Sequence, residues 1–214
     1  MKVYFPRTPD FIARIFSKYI WRFSLNKKEI YLTFDDGPTP EITEFVLAEL
    51  KKYNAKATFF CIGKNIENHP EIFNKIITDK HTVGNHTQNH LNGWKTKTNI
   101  YIDNFLKCEK TITHFNNSTI KQPLFRPPYG KIKKSQAKEI LKKGYKIIMW
   151  DVLSADFDTS ISEEKCLQNV LRNTKNGSII VFHDSVKASE KLRFVLPKVL
   201  EEFSKKGFEF KAIK

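Results

Sequence analysis

Two acids stand side by side where an apolar run breaks, in Tyr31-Leu32-Thr33-Phe34-Asp35-Asp36-Gly37-Pro38. Residues 30–34 are β-rich and short enough to be a strand buried on both faces, and Gly-Pro then turns the chain. While extended geometry persists the two carboxylates point to opposite sides, so one can bind a cation while the other takes a proton. Alone, Asp-Asp-Gly is equally a plain turn whose side chains bond nearby backbone N–H groups. The second cluster, His86-Thr87-Gln88-Asn89-His90, spaces two imidazoles four residues apart, which on one helical turn brings both to the same side. With an Asp from another strand tip they make a two-His, one-carboxylate site with open positions for water and substrate. A metal there acidifies its water; the remaining Asp can accept a proton and His183 can donate one to a leaving group. Arg126 is suited to hold a catalytic carboxylate through a bidentate pair.

These residues need a frame, and the apolar pattern supplies one. Strands are expected at 30–34, 57–62, 82–86, 124–126, 145–150 and 178–182, with a last extended run at 208–213. Helices are expected between them at 39–53, 70–80, 98–115, 135–143, 162–175 and 188–206. Alternation of this kind means parallel strands joined by right-handed crossovers, and six or seven such units favour a closed or nearly closed barrel. The unusual polar residues all follow strands. Asp35 and Asp36 end the first, His86 and His90 the third and Arg126 the fourth; Asp156 lies beyond the fifth and His183 ends the sixth. In a barrel those tips meet on one face.

The chain has 214 residues and is 40% hydrophobic, enough for one substantial core. Cys61, Cys108 and Cys166 are odd in number and widely spaced, so they read as buried thiols of a reducing compartment rather than disulfides or a zinc ribbon. The net charge of +14 favours anionic partners, yet no nucleic-acid module is present and the aromatics fall in apolar runs, which argues against nucleic acid. Near the N-terminus Phe11, Ile12, Ile15, Phe16, Tyr19 and Ile20 recur at helical spacing among Arg7, Arg14, Lys18 and Arg22. The expectation is an amphipathic helix within residues 1–27, with Phe11, Ile15 and Tyr19 packed on a catalytic domain of residues 28–214. The sharper alternative is an interfacial helix lying on a membrane. Charges interrupt every apolar stretch, so no signal peptide or membrane span is expected, placing the chain in the cytoplasm or at the cytoplasmic membrane face. His69, His81 and His114 are expected at the surface, Cys61 in the core, and Trp94 either stacked on a ligand ring or packed over its loop.

Five segments, TFDDGP, HTQNH, RPPYG, WDVLSADF and VFHD, occur in the order and approximate spacing of the polysaccharide deacetylases, carbohydrate esterase family 4 with the NodB-homology domain. The resemblance runs from about residue 28 to 214. It implies an α/β distorted (β/α) barrel of about seven parallel strands, here with an extra N-terminal helix, and metal-dependent hydrolysis of N-acyl groups on sugars. By motif position it makes Asp35 the base, Asp36, His86 and His90 the ligands of one divalent metal, and His183 the acid. The metal expected is zinc, with cobalt or nickel as alternatives. Arg126 would orient Asp35, Asp156 would hold Arg126, and the Tyr129 backbone N–H would help to stabilise the oxyanion. Phe157 stands where the family usually has Trp and Val181 where it usually has Leu, which should reshape the acyl pocket and spare the chemistry. The expected substrate is an N-acetylated amino sugar in chitooligosaccharide, peptidoglycan or another glycan, with no protein partner required. A deformylase or deacetylase of a lipid-linked sugar at a membrane face, and a non-catalytic carbohydrate-binding barrel, are the alternatives.

Overall fold

The computed structural model describes residues 4–116 and 123–214. Its spine is β1 (Glu29–Asp35), which pairs in parallel with three neighbours and is buried through its last four residues. The chain continues through α2 (Ile42–Lys52), β2 (Thr58–Cys61), α3 (Gly63–Asn68), α4 (Pro70–Thr78) and β3 (Thr82–Asn85). Next come the long helix α5 (Thr98–Phe115), β4 (Leu124–Phe125), α6 (Lys134–Lys142) and β5 (Lys146–Ile147). After β6 (Val152–Leu153), α7 (Glu163–Asn173) and β7 (Ile179–His183), the chain closes with α8 (Ser189–Lys205) and β8 (Glu209–Phe210). The strand order is β5-β4-β3-β2-β1-β7-β6, all parallel, with β8 added to the start of β1. Seven strands thus curl into a half-barrel with helices outside it, the distorted (β/α) barrel that the family resemblance implied.

Register aligns the catalytic ends. Asp35 lies opposite Phe60 on one side and His183 on the other, while Asn85 lies opposite Phe125, so His86 and Arg126 leave their strands at the same level. The largest apolar cluster gathers Phe34, Phe59 and Phe182 from the sheet with Val46 and Leu50 of α2 and Leu196 and Val199 of α8. A second cluster puts Tyr101 and Phe105 of α5 edge-on to Phe125.

Three departures from the sequence pattern bear on the site. The apolar run at 145–150 is not one strand: β5 stops at Ile147, and a separate β6 begins at Val152. A helix, α3, follows β2 directly, between the strand expected at 57–62 and the helix expected at 70–80, where the pattern offered no element.

The N-terminal region differs most. Residues 1–3 lie outside the described residues, and the helix, α1 (Asp10–Ile15), has no buried side chain. Phe11 is 60% and Ile15 69% exposed, whereas Ile12, Ala13 and Tyr19 pack on the second cluster, to which Trp21 belongs. Helical spacing continued to Ile20, but the backbone there does something else. Ile20 N–H donates to the Ile147 carbonyl at 2.9 Å, and Ile20 C=O accepts from Met149 at 2.7 Å. Arg7 bridges to Val152 and Arg22 to Ser178. The segment therefore laces across the opening between β5 and β6. A short helix of aromatic and β-branched residues gains little by extending, whereas an open sheet edge offers unpaired backbone groups, so edge pairing wins. The lacing is locked by Asp151, 1% exposed, which accepts from Ser178 Oγ at 2.7 Å and faces Arg7 at 3.5 Å and Arg22 at 3.3 Å.

Candidate active site

β1 delivers the first functional side chains two residues apart, hence on one face: Thr33 and Asp35. Both meet Arg126, which is fully buried. Its Nη1 donates to Asp35 Oδ1 at 2.7 Å and to Thr33 Oγ1 at 2.6 Å. Its Nε and Nη2 donate to the carbonyls of Ile148 and Met149, at 3.2 and 2.8 Å. The guanidinium carbon also lies over Phe60, 4.2 Å from the ring centre. An aromatic face together with acceptors for all three nitrogens is how an Arg is kept charged without water. These contacts leave Asp35 with one oxygen fixed.

Asp36 does not continue the strand. Its φ of 83° turns the carboxylate back towards the site, so the two acids share a face instead of opposing each other. The histidine pair is likewise not on a helical turn. β3 ends at Asn85, and left-handed backbone at Thr87 (φ 64°) and His90 (φ 55°) folds the loop until the imidazole centres are 5.1 Å apart. The outcome expected from spacing, both rings on one side, is reached by loop strain. Five of the eight non-glycine residues with positive φ among the described residues belong to this site: Asp36, Thr87, His90, Tyr129 and Ala155. Such backbone costs about 1–3 kcal/mol each and persists where the surroundings over-determine it.

Ligand atoms of Asp36, His86 and His90 lie within 4.8 Å of one another. Asp36 Oδ1 is buried with no hydrogen-bond partner, facing His90 Nε2 at 3.1 Å and His86 Nε2 at 3.7 Å. His86 Nδ1 donates to the Arg126 carbonyl at 2.8 Å, which leaves Nε2 with a lone pair. Burial pushes His86 down to about 4, keeping it neutral as a ligand must be. Burial alone would raise Asp36, but the facing imidazole of His90 and the charges of His183 and His86 hold it well below the usual carboxylate range. Three converging lone-pair donors around an orphaned carboxylate oxygen fit a small divalent cation.

His183 closes the other side. Burial pulls it down, yet the charge and hydrogen bond of Asp156 prevail, with Asp36 and Asp35 adding to them, and raise it to about 9. Asp156 accepts from both His183 Nδ1 (2.8 Å) and His183 N–H (2.7 Å), so Nε2 is the atom turned to the site. This corrects the expectation that Asp156 holds Arg126: Thr33, Asp35 and two carbonyls hold the arginine, and Asp156 holds the histidine. Phe157 packs edge-on against His183 at 5.1 Å, and Tyr4 packs edge-on against Phe157 at 6.1 Å. Val181 is buried with Leu153 and Ala155. Tyr129 sits at φ 60° with its ring 4.5 Å from that of His90. A cleft of about 380 Å³ bounded by Asp36, His69, His90 and Val186 opens beside these groups.

Several residues escaped the sequence reading. Thr33 was detectable from its two-residue offset to Asp35. Asn65, which donates to the Asp36 carbonyl at 2.7 Å, sits on the unexpected α3. Asp184 is fully buried, accepting from Gly37 N–H and Thr43 Oγ1, and burial pushes it up to about 7. A Cβ on Gly37 would meet Asp184 Oδ2 at 2.0 Å, so the β1 tip requires glycine there. His81 is a correction: it is buried, accepts from Ala57 N–H, and burial lowers it to about 4. Trp94 is 60% exposed, with its N–H on the Ile132 carbonyl and Lys131 over its ring. All three cysteines are free and buried.

The comparisons with known proteins decide the family. Residues 24–148 match the model described as polysaccharide deacetylase. A peptidoglycan-N-acetylglucosamine deacetylase of Bacillus cereus is 33% identical over 192 residues, covering 89% of this chain and 88% of the relative. The chain belongs to the polysaccharide deacetylase family. Another peptidoglycan-N-acetylglucosamine deacetylase of Bacillus cereus is 38% identical over 170 residues, which is 78% of this chain but 61% of that protein. A crystal structure of a peptidoglycan N-acetylglucosamine deacetylase matches with a TM-score of 0.87 at 32% identity, over 96% of this chain and 95% of that one. The family model covers residues 24–148, and the structural match extends over 96% of the chain. Among the described residues no helix is long and apolar enough to cross a membrane.

Proposed function

We propose that this polysaccharide deacetylase hydrolyses the N-acetyl group of N-acetylglucosamine units in peptidoglycan or a related glycan, using one divalent metal held by Asp36, His86 and His90. One observation carries the reading: a carboxylate fixed by a buried arginine and a histidine oriented by a second carboxylate flank the same Asp/His/His group. When bound, the metal, for which zinc suits the donor set, would polarise the acyl carbonyl and acidify water.

The remaining steps belong to the chain. Asp35 Oδ1 is occupied by Arg126, which leaves Oδ2 to take a proton as water adds to the acyl carbon. The Tyr129 N–H assists the tetrahedral oxyanion. His183 Nε2 then delivers a proton to the sugar nitrogen, the C–N bond breaks, and acetate and a free amine leave. Asp156 keeps His183 protonated and aimed until that moment. A non-catalytic binder has no use for a base, its orienting arginine and an acid assembled together. The lipid-linked alternative gains no support from the relatives' names.

The test uses purified chain with acetylated chitooligosaccharide and peptidoglycan. Chelation should abolish acetate release and added zinc should restore it. Asp35→Asn and His183→Ala should each lower turnover by about 10² or more with metal retained, while His90→Ala should lose the metal. Turnover near the parent's in Asp35→Asn or His183→Ala, with metal in place, would overturn the two-group mechanism.

A further inference from the structure

We infer that the N-terminal lacing presents a docking face for an anionic lipid bilayer. Of the nine large hydrophobic side chains exposed among the described residues, five fall in this short stretch: Phe5, Phe11, Ile15, Phe16 and Leu25. They are not loose ends. The segment is pinned on one side by Thr8 N–H on the Asp151 carbonyl and on the other by Ile20 on β5, with Arg22 bonded to Asp10 at 2.7 Å between them. The fold thus holds Phe11 and Ile15, one helical turn apart and on the same stripe, rigidly in water.

Charge selects the occupant. Residues 1–28 contain Lys2, Arg7, Arg14, Lys18, Arg22, Lys27 and Lys28 against the single acid Asp10, a balance of 7 − 1 = +6 out of +14 for the chain. Asp10 is consumed by Arg22, and among the described residues Arg14 and Lys18 carry no ion pair. Exposed aromatic and aliphatic side chains alternating with unpaired Arg and Lys match a bilayer interface, where apolar groups enter the acyl boundary and cations meet lipid phosphates. A nucleic acid would use the charges but not Phe11 and Ile15. The face also adjoins the reaction: a groove of about 210 Å³ runs from Tyr4, Phe5 and Ile12 to Tyr129 and Trp150 at the site rim. Docking would therefore hold the catalytic cleft beside the membrane surface.

The whole chain is sedimented with vesicles of phosphatidylglycerol and phosphatidylcholine, and with phosphatidylcholine alone. Binding is expected to the anionic vesicles only and to weaken with salt. Phe11→Ser/Ile15→Ser should reduce it at least tenfold with melting temperature and turnover on a soluble chitooligosaccharide unchanged, since neither side chain is buried. Arg14→Gln and Lys18→Gln should each weaken it about fivefold. Absence of binding at low salt, or equal binding by the Phe11→Ser/Ile15→Ser variant, overturns the inference. So does a dimer of the parent chain that the same variant converts to monomer, because the face would then belong to a second copy. Turnover on soluble substrate is read separately, so failure here leaves the deacetylase reading intact.

Discussion

At the scale of single residues, the pairing of Asp156 with His183 has the most direct solution consequence. His183 is raised to about 9, so the protonated form is favoured at neutral pH and is lost as pH rises through that value. The pairing's contribution to stability has the same sign: fully present below the unfolded value near 6.5, and lost towards about 9. A dication held in the folded site would pull the folded value down and leave the unfolded one unchanged. Asp156→Asn removes the charge and keeps the shape, and should move the alkaline limb of the kcat/KM profile to lower pH by about one unit or more. An unmoved limb would exclude His183 as the acid. The residues of this site were legible because Asp, His and Arg at strand ends are conspicuous. Their pairings were not. Asp156 and Arg126 read in the sequence only as polar residues beyond strand ends, and only the folded chain shows that the arginine donates to Thr33, Asp35 and two carbonyls.

At the scale of elements, β1 organises the floor by offering alternate residues to one side. Thr33 Oγ1 both accepts from Arg126 and donates to the Ile180 carbonyl at 2.8 Å, so it ties the arginine to β7. Thr33→Val keeps the volume and leaves a buried guanidinium N–H unpaired. It should cost about 1–3 kcal/mol in thermal or denaturant unfolding and lower turnover with metal content unchanged. Full stability and turnover would show that Asp35 alone suffices to hold Arg126. Period and length gave the long helices and the fully apolar strands well, since those signals are local. They failed at 145–150, where six residues with strand character yield only the two-residue β5, and the next strand, β6, begins beyond them at Val152. There the sheet bends, and Met149 to Asp151 spend their backbone groups on the N-terminal lacing and on Ile179.

At the scale of the molecule, the half-barrel is closed by chain from its own N-terminus. Deleting residues 1–23 would strip both guanidinium partners from the buried Asp151 and expose the edges of β5 and β6. Loss of the partners of a buried charge costs about 3–5 kcal/mol, so the melting temperature should fall by several degrees or the chain should fail to fold. A truncated chain melting with the parent would show that the lacing is only laid over a self-sufficient barrel. Alternation of strands and helices made the barrel readable from sequence. The lacing was not readable, because its partner is a gap that exists only after the sheet has curled.

The left-handed backbone at Asp36, Thr87, His90, Tyr129 and Ala155 sets this protein's path under selection. Glycine at these positions relieves strain and favours survival on heating wherever that relief outweighs the added freedom of the unfolded chain, while the exchange deletes a proposed metal ligand at Asp36 or His90 and loosens the loop at Thr87, Tyr129 or Ala155. A library screened for heat resistance alone would therefore drift towards glycine around the cleft and emerge hardier and inert. One screened for acetate release would keep the strain and seek its stability elsewhere, in the helices on the far side of the sheet.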